Sequence, residues 1–214
     1  MGTPLLGLLI SVPCAYIAIV LHELAHGYTS YLLGDPTPKA EGRLTLDPRK
    51  HFDLIGLLCL IIFRFGWAKP VMVNPQYYKK PKQGMALVAL AGPLTNFLIS
   101  FISLIIVVLT SKQNSLISVI LYTFFLYLAR INVSLGVFNL IPLPPLDGSK
   151  ILGAFLPNHL YRKYMSLQKY GMYILFGIIL ISNILGSILG TDSLLILLNE
   201  VIIKGLLNLI EIIL

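Results

Sequence analysis

His22, Glu23 and His26 form a His-Glu-x-x-His motif close to the start of the sequence. On an α-helix, residues four apart lie on one face, about 6 Å apart along the axis. Two imidazoles at that spacing can bind one Zn²⁺ ion, and a glutamate beside them can take a proton from the attacking water. The alternative, a set of hydrogen-bonded core residues, would bury three ionisable side chains in an apolar helix, which is costly. We therefore predict that His22 and His26 are metal ligands and Glu23 a general base.

A third metal ligand must come from elsewhere in the chain, because a catalytic Zn²⁺ ion usually has three protein ligands and a water. The candidates are histidines and acidic residues of the polar segments: His51, His159, Asp47, Asp53 and Asp147. Asp147 is favoured, because it follows a proline-broken stretch after an apolar segment. Unwound backbone at that depth must pack in protein or line a wet cavity. An ordinary Asp-Gly turn at a helix terminus remains the alternative for Asp147.

The composition is typical of a membrane protein, since 57% of the 214 residues are hydrophobic and 12% are charged. Five apolar segments are predicted to be helices long enough to cross a bilayer, although the last could also lie on its surface. They are residues 4–33, 84–110, 115–140, 171–189 and 194–214. The first segment lacks the basic start of a signal peptide, so we expect it to be an uncleaved span.

Two short polar-flanked segments between the first and second spans, 43–46 and 70–73, are predicted to be strands. The fold class is therefore an all-α polytopic membrane protein with about five transmembrane helices and a small membrane-associated β-hairpin or sheet. We expect a single domain over 1–214, with a core at 4–150 and C-terminal helices at 171–214. Cys14 and Cys59 are isolated in apolar surroundings and are predicted to be core residues without a disulfide.

The net charge is +7, and 13 of the 16 Lys and Arg residues lie in residues 34–83 and 147–170. Because cytoplasmic loops of membrane proteins are enriched in Lys and Arg, both segments are predicted to be cytoplasmic. The motif end of the first span and the Asp147 end of the third then meet at one face. The basic residues flank apolar segments, so we expect contact with the lipid bilayer and no binding of nucleic acid.

Four stretches of the sequence resemble the site-2 protease family of intramembrane zinc metalloproteases, in its compact prokaryotic form without PDZ or CBS domains. They are His-Glu-Leu-Ala-His-Gly at 22–27, Gly-Trp-Ala-Lys-Pro-Val at 66–71, Ala-Gly-Pro-Leu-Thr-Asn at 91–96, and Asn-Leu-Ile-Pro-Leu-Pro-Pro-Leu-Asp-Gly at 139–148. The resemblance implies that His22, His26 and Asp147 bind one Zn²⁺ ion per chain and that Glu23 activates water. It also implies that Asn139 helps to hold the substrate backbone or the oxyanion.

The same resemblance implies hydrolysis of peptide bonds in or near the transmembrane segments of membrane proteins. It implies a prokaryotic plasma membrane, in which the distribution of Lys and Arg predicts an active site towards the cytoplasm. A helical peptide carbonyl is hydrogen-bonded, so we expect the substrate to be extended and to add as a strand to the edge of the predicted sheet. Met72 stands where many members of the family have proline, and we expect this change to be silent.

Other polar residues of these stretches are expected to be structural. Asn96 is predicted to pack or to bond between helices, and His51 to be a loop residue. For Asn139, a helix cap or an interhelical hydrogen bond is the alternative. Two other functions remain open for the whole chain, a membrane metal transporter and a scaffold without catalytic activity. The transporter is disfavoured because no inverted repeat is visible, and the scaffold because all four chemical residues are intact.

Overall fold

The computed structural model describes residues 4–51, 53–56, 58, 69–113, 115–189, 192 and 194–213. The helices, numbered here in chain order, are α1 Pro4–Leu32, α2 Thr37–Ala40, α3 Pro48–His51, α4 Pro81–Ser111, α5 Leu116–Asn139, α6 Asp147–Phe155, α7 Asn158–Met165, α8 Gln168–Leu189 and α9 Leu194–Ile213. A 3₁₀ turn, Pro75–Tyr77, precedes α4. The all-α class is therefore confirmed for the described part of the chain.

Within the described residues, three helices are long and apolar enough to cross a membrane: Gly7–Leu32, Pro81–Ser111 and Leu116–Asn139. A fourth span results if Asn158–Gly171 and Tyr173–Ser182, which are bent by 69° to one another, are taken together. The predicted fifth span exists as helix α9, but Glu200, Lys204 and Glu211 interrupt its apolar surface. The structure thus bears out a helical membrane protein, and the total of five spans stays a prediction.

The long helices pack around α4, which contacts both α1 and α5. Helix α9 packs on α5 and α4, where Leu104, Ala129, Val133, Ile203 and Ile210 form a buried apolar cluster. Helix α6 packs on α4, and Asp147 at the start of α6 contacts His22 and His26 of α1. Packing of apolar helix faces therefore brings together two polar segments that are far apart in the sequence.

The predicted β-hairpin is not confirmed, because neither 43–46 nor 69–74 is a strand and none occurs elsewhere in the part of the chain described. Residues 59–68, which carry Gly66, Trp67 and Ala68 of one family stretch, lie outside that part. The Arg43 guanidinium joins the two segments instead, by donating to the carbonyl oxygens of Lys69 and Pro70.

A buried carboxylate fixes the loop that follows α1. The helix ends at Leu32 and is followed by Gly34, whose φ of 100° is a left-handed conformation that glycine adopts readily. Asp35, which is 0% exposed, accepts hydrogen bonds from the Ser30 hydroxyl, the Thr37 N–H and the Asn74 N–H. Burial raises the pKa of Asp35, but these donors outweigh it and hold the pKa below its ordinary value. The carboxylate thereby fastens the end of α1 to the segment at 69–74.

Candidate metal centre

Three side-chain atoms from two distant helices converge at one point. The Nε2 atoms of His22 and His26 are 3.0 Å apart, and Oδ2 of Asp147 lies 3.1 Å from the first and 3.0 Å from the second. The histidines lie one turn apart on α1, and Asp147 is the first residue of α6. A tetrahedral ion with bonds of about 2.0–2.1 Å separates its ligand atoms by roughly 3.3 Å. The triangle of acceptors therefore has the size that a zinc ion requires.

The other ring nitrogen of each histidine is held by an oxygen atom. Nδ1 of His26 lies 2.7 Å from the carbonyl oxygen of Val88, and Nδ1 of His22 lies 2.6 Å from Oδ1 of Asn96. A carbonyl oxygen can only accept, so each Nδ1 is the donor and each neutral ring turns the lone pair of Nε2 towards Asp147. Hydrogen bonds of this kind fix the tautomer of metal-binding histidines.

The resulting cluster contains three acceptors and lacks a donor between them. Two nitrogen lone pairs and a carboxylate oxygen about 3 Å apart repel one another unless a cation, or an added proton, lies between them. All three residues are buried, with His22 4% and Asp147 5% exposed, so water screens this repulsion poorly. Among the described residues, they form the group of His, Cys, Asp and Glu that could hold a metal ion. The donor set fits zinc.

Helix α4 approaches the histidine rings so closely that a side chain would not fit. A Cβ atom built on Gly92 would lie 2.5 Å from Cε1 of His26 and 2.6 Å from Cε1 of His22. Real Cβ atoms essentially never come that close to a neighbouring atom, so glycine is the residue type that fits at position 92. The small residue in the Ala-Gly-Pro stretch therefore lets α4 form one wall of the site.

The second carboxylate oxygen of Asp147 is also engaged. Lys150, one turn along α6, places Nζ 3.0 Å from Oδ1 of Asp147. The same carboxylate lies at the N-terminus of α6, where the helix dipole favours a negative charge. Both effects stabilise the ionised form of Asp147 and leave Oδ2 directed at the histidines.

A cavity of about 210 Å³ lies beside the triangle. Its walls come from α1, the loop before α4, α4 itself, and the region from Asn139 to α6, and it is lined by His22, Glu23, His26, Pro70, Val71, Val73, Met85, Val88, Asn139, Pro145, Leu146, Asp147 and Lys150. Oε2 of Glu23 accepts a 2.8 Å hydrogen bond from the N–H of Val71. Nδ2 of Asn139 donates to the carbonyl of Leu135 over 3.0 Å. Glu23 and Asn139 thus share a cavity with the candidate metal ligands.

The remaining ligand candidates lie elsewhere. His51 is 0% exposed and binds the Thr45 carbonyl through Nε2, at 2.8 Å. Asp53 caps a nearby turn through the N–H of Gly56, and Asp47 contacts Arg49. His159 lies exposed on α7. The structure therefore brings Asp147, and none of these four, to the histidine pair.

Sequence reasoning missed three features of the site. The sequence predictions include neither the contact of Lys150 with Asp147 nor the close approach of Gly92 to the histidine rings. Asn96 does bond between helices, as predicted, but it also holds His22. The spacing of Gly92 and Asn96, one turn apart on a single face of α4, was the available signal.

Comparison with known proteins gives concordant results. The profile of peptidase family M50 matches residues 108–182. Over 189 residues the chain is 36% identical to "Putative zinc metalloprotease YwhC" of Bacillus subtilis, covering 84% of this chain and 86% of that protein. It is 27% identical over 180 residues to "Putative zinc metalloprotease Rip2" of Mycobacterium tuberculosis, covering 81% and 68% respectively. Among solved structures, it resembles the site-2 protease from Methanocaldococcus jannaschii with a TM-score of 0.43 and 26% identity, over 90% of this chain and 74% of that one.

Apolar helices long enough to cross a membrane and relatives of this kind define the class as a membrane-embedded zinc metalloprotease. The chain belongs to the site-2 protease family, which confirms the resemblance found in its sequence.

Proposed function

We propose that this protease hydrolyses peptide bonds in or near the transmembrane segments of membrane proteins. His22, His26 and Asp147 bind one zinc ion per chain, and Glu23 is the general base. The observation that carries the proposal is the convergence of three acceptor atoms, each about 3 Å from the others, on the wall of a cavity that also contains Glu23. A hydrolase needs a general base beside the metal, and Glu23 adjoins the histidine pair in the sequence and lines the same cavity.

The residues around the cavity divide the chemistry among them. A zinc ion held there would polarise the scissile carbonyl and lower the pKa of water towards about 7. Glu23 accepts the proton from the attacking water and passes it to the leaving amine. Asn139, which also lines the cavity, offers a side-chain amide to the substrate backbone or to the developing oxyanion. Lys150 keeps one oxygen of Asp147 occupied, so that the other remains directed at the metal.

The substrate has to be extended, because a helical carbonyl is hydrogen-bonded within its own chain. The non-helical segment 70–74 lies on the cavity wall and supplies Pro70, Val71 and Val73 to the lining. It ends at Asn74 in an extended conformation, with φ −118° and ψ 101°. We propose that the substrate adds beside this segment through main-chain hydrogen bonds. The segment performs this task without the second strand expected from the sequence.

The active site faces the cytoplasm in this proposal, and the membrane is the plasma membrane. Support comes from the 13 of 16 Lys and Arg residues in the two segments that adjoin the cavity. Single cysteines placed at Lys79 and Lys112 test the topology by labelling with a membrane-impermeant thiol reagent. Labelling of position 112 from outside and of position 79 from inside is expected, and the reverse pattern overturns this orientation.

The proposed chemistry is tested by Glu23→Gln in the full chain, purified in lipid nanodiscs. Glutamine keeps an oxygen for the N–H of Val71 but cannot take a proton, so cleavage of transmembrane peptides should fall by about 10²–10⁴-fold. Zinc content, measured by atomic emission, should remain at one ion per chain. Glu41→Gln, which neutralises an exposed acid at the end of α2, is the matched control and should cleave normally.

Two results would contradict the proposal. If Glu23→Gln cleaved at the rate of the unmodified protein, Glu23 would not be the general base. If the unmodified chain bound no zinc, His22, His26 and Asp147 would not be zinc ligands. The same would follow if zinc stayed bound after all three were replaced by alanine. The natural substrates can be sought among the membrane proteins that accumulate in cells that carry Glu23→Gln.

A further inference from the structure

A chain of hydrogen-bonded amides connects His22 to a helix that carries none of the proposed metal ligands. Oδ1 of Asn96 lies 2.6 Å from Nδ1 of His22, and Nδ2 of Asn96 donates to Oδ1 of Asn132 over 2.8 Å. Asn132, in the middle of α5, donates in turn to the carbonyl of Leu128 at 2.8 Å. Nδ2 of Asn96 also donates to the carbonyl of Ala18 at 3.2 Å. Three helices are thereby linked through one continuous path.

The donors and acceptors along this path of amides can be arranged in one direction only. The carbonyl of Leu128 can only accept, so Asn132 turns its amide nitrogen to that side and its oxygen towards Asn96. Asn96 therefore directs its amide nitrogen at Oδ1 of Asn132, and its amide oxygen then faces Nδ1 of His22. The Nδ1 atom of His22 must therefore carry the proton, which leaves Nε2 with a lone pair. A main-chain carbonyl of α5 thus determines the tautomer of a histidine on α1.

We propose that Asn96 and Asn132 are positioning residues, which hold His22 in the tautomer and ring orientation that bind the metal. The inference rests on the proposed role of His22 as a metal ligand. Both asparagines are 0% exposed, so their amides have no water with which to replace these bonds. Burying two polar side chains is unfavourable unless their hydrogen bonds are made, and here those bonds end at His22.

His22 and His26 are held in the same tautomer by different hydrogen-bond acceptors. His26 donates to the carbonyl of Val88, a main-chain acceptor that substitution of the side chain leaves in place. His22 depends on two replaceable side chains. If His22 took the other tautomer, its Nε2–H would point at Oδ2 of Asp147, and the cluster would satisfy itself without an ion. The amide path disfavours that closed arrangement and so favours zinc binding.

Zinc affinity in the full chain tests this role, because it is measured without any substrate. The variants are Asn96→Leu, Asn132→Leu and the double variant, each in nanodiscs, with zinc taken up from a chelator of known affinity. Loss of an outer hydrogen-bond partner typically weakens metal affinity by about 10–100-fold. We expect each single variant to raise the Kd for zinc by about tenfold or more, and the double variant to be no weaker than Asn96→Leu.

Absence of further loss in the double variant distinguishes positioning from simple packing. If the asparagines only join helices, their thermal unfolding midpoints fall while the Kd for zinc stays that of the unmodified protein, and the inference is wrong. Additive losses in the double variant also contradict it, because Asn132 would then act independently of Asn96. A visible spectrum of the Co²⁺-loaded protein that is altered alike by both single variants supports it.

Ser134→Ala is the matched control on α5. Its hydroxyl accepts from Asn199 of α9 at 2.7 Å, so the change removes an interhelical bond outside the amide path. Its Kd for zinc should equal that of the unmodified protein. Failure of the proposed function is recognisable separately, because the unmodified chain would then take up no zinc.

Discussion

The N–H of Val71 donates a 2.8 Å hydrogen bond to Oε2 of Glu23, so the loop before α4 is fastened directly to the helix of the histidine pair. The same segment, 70–74, is held near its start by the guanidinium of Arg43 and at its end by the carboxylate of Asp35. Three side chains from separate parts of the chain therefore fix a non-helical backbone against the cavity. The first prediction concerns what this backbone offers to a substrate.

Val73→Pro should slow the cleavage of membrane substrates. In an extended chain, the N–H groups of residues 71 and 73 point to the same side, which is the side of Glu23. Proline removes the donor at position 73, and the loss of one main-chain hydrogen bond, about 0.5–1.5 kcal/mol, corresponds to about a 2- to 10-fold lower rate. Initial rates on a fluorescent transmembrane peptide in nanodiscs measure the effect.

Met72→Pro is the control for that change. In an extended chain the N–H of residue 72 points to the side opposite the N–H groups of residues 71 and 73, and the Met72 side chain is 58% exposed. The resemblance of the sequence to the family implies that proline is tolerated here, so cleavage should continue at the normal rate. Equal rates for Val73→Pro and the unmodified protein would rule out strand addition at this segment.

Gly92→Ala should abolish tight zinc binding without unfolding the protein. The new methyl group would meet the rings of His22 and His26 at about 2.5 Å, and one of the helices must move. Overpacking costs about 1–3 kcal/mol, so the Kd for zinc should rise by about 5- to 150-fold. Zinc competition with a chelator measures the affinity, and circular dichroism checks the helix content.

Gly205→Ala on α9 provides the comparison for the glycine substitution. A Cβ atom there would have no neighbour within 4 Å. Alanine is favoured over glycine in a helix by about 0.5–1 kcal/mol, so this variant should unfold at a slightly higher temperature and keep its zinc. If Gly92→Ala also kept its zinc, the close approach of α4 would have no role in the site.

Asp35→Asn should destabilise the loop in a manner that depends on pH. The amide cannot accept from the Ser30 hydroxyl and from both the Thr37 and Asn74 N–H groups as the carboxylate does. Unpaired buried donors cost about 1–3 kcal/mol each, so the thermal midpoint of the variant should lie below that of the unmodified protein near pH 7. Cleavage should fall with it, because the segment that carries Val71 is released.

The pH dependence follows from the lowered pKa of Asp35. A carboxyl group with a folded-state pKa below its ordinary value contributes stability above about pH 4 and loses it as the pH falls further. The difference between the two thermal midpoints should therefore be constant from pH 7 to about pH 5 and should shrink below about pH 4. A difference that is unchanged at about pH 3 would show that the charge of Asp35 contributes nothing.

Part of the site can be predicted from local patterns in the sequence. The spacing of His22 and His26 predicts a shared helix face, because helical periodicity is a property of consecutive residues. The unwound, proline-rich stretch before Asp147 singles out that acid among five candidates. The predicted hairpin at 43–46 and 70–73 is not confirmed, and strand propensity does not reveal that a guanidinium donates to the carbonyls of Lys69 and Pro70.

The sequence by itself determined the helical membrane class, the family and the residues with the right chemistry, since each depends on composition, periodicity or a short motif. The tertiary structure alone decided that Asp147 reaches two histidines more than 120 residues away, that Gly92 lies against their rings, and that Asn132 is linked to His22. The reason is physical. Local sequence sets which face of a helix is polar, but the faces that meet depend on how all the helices pack together.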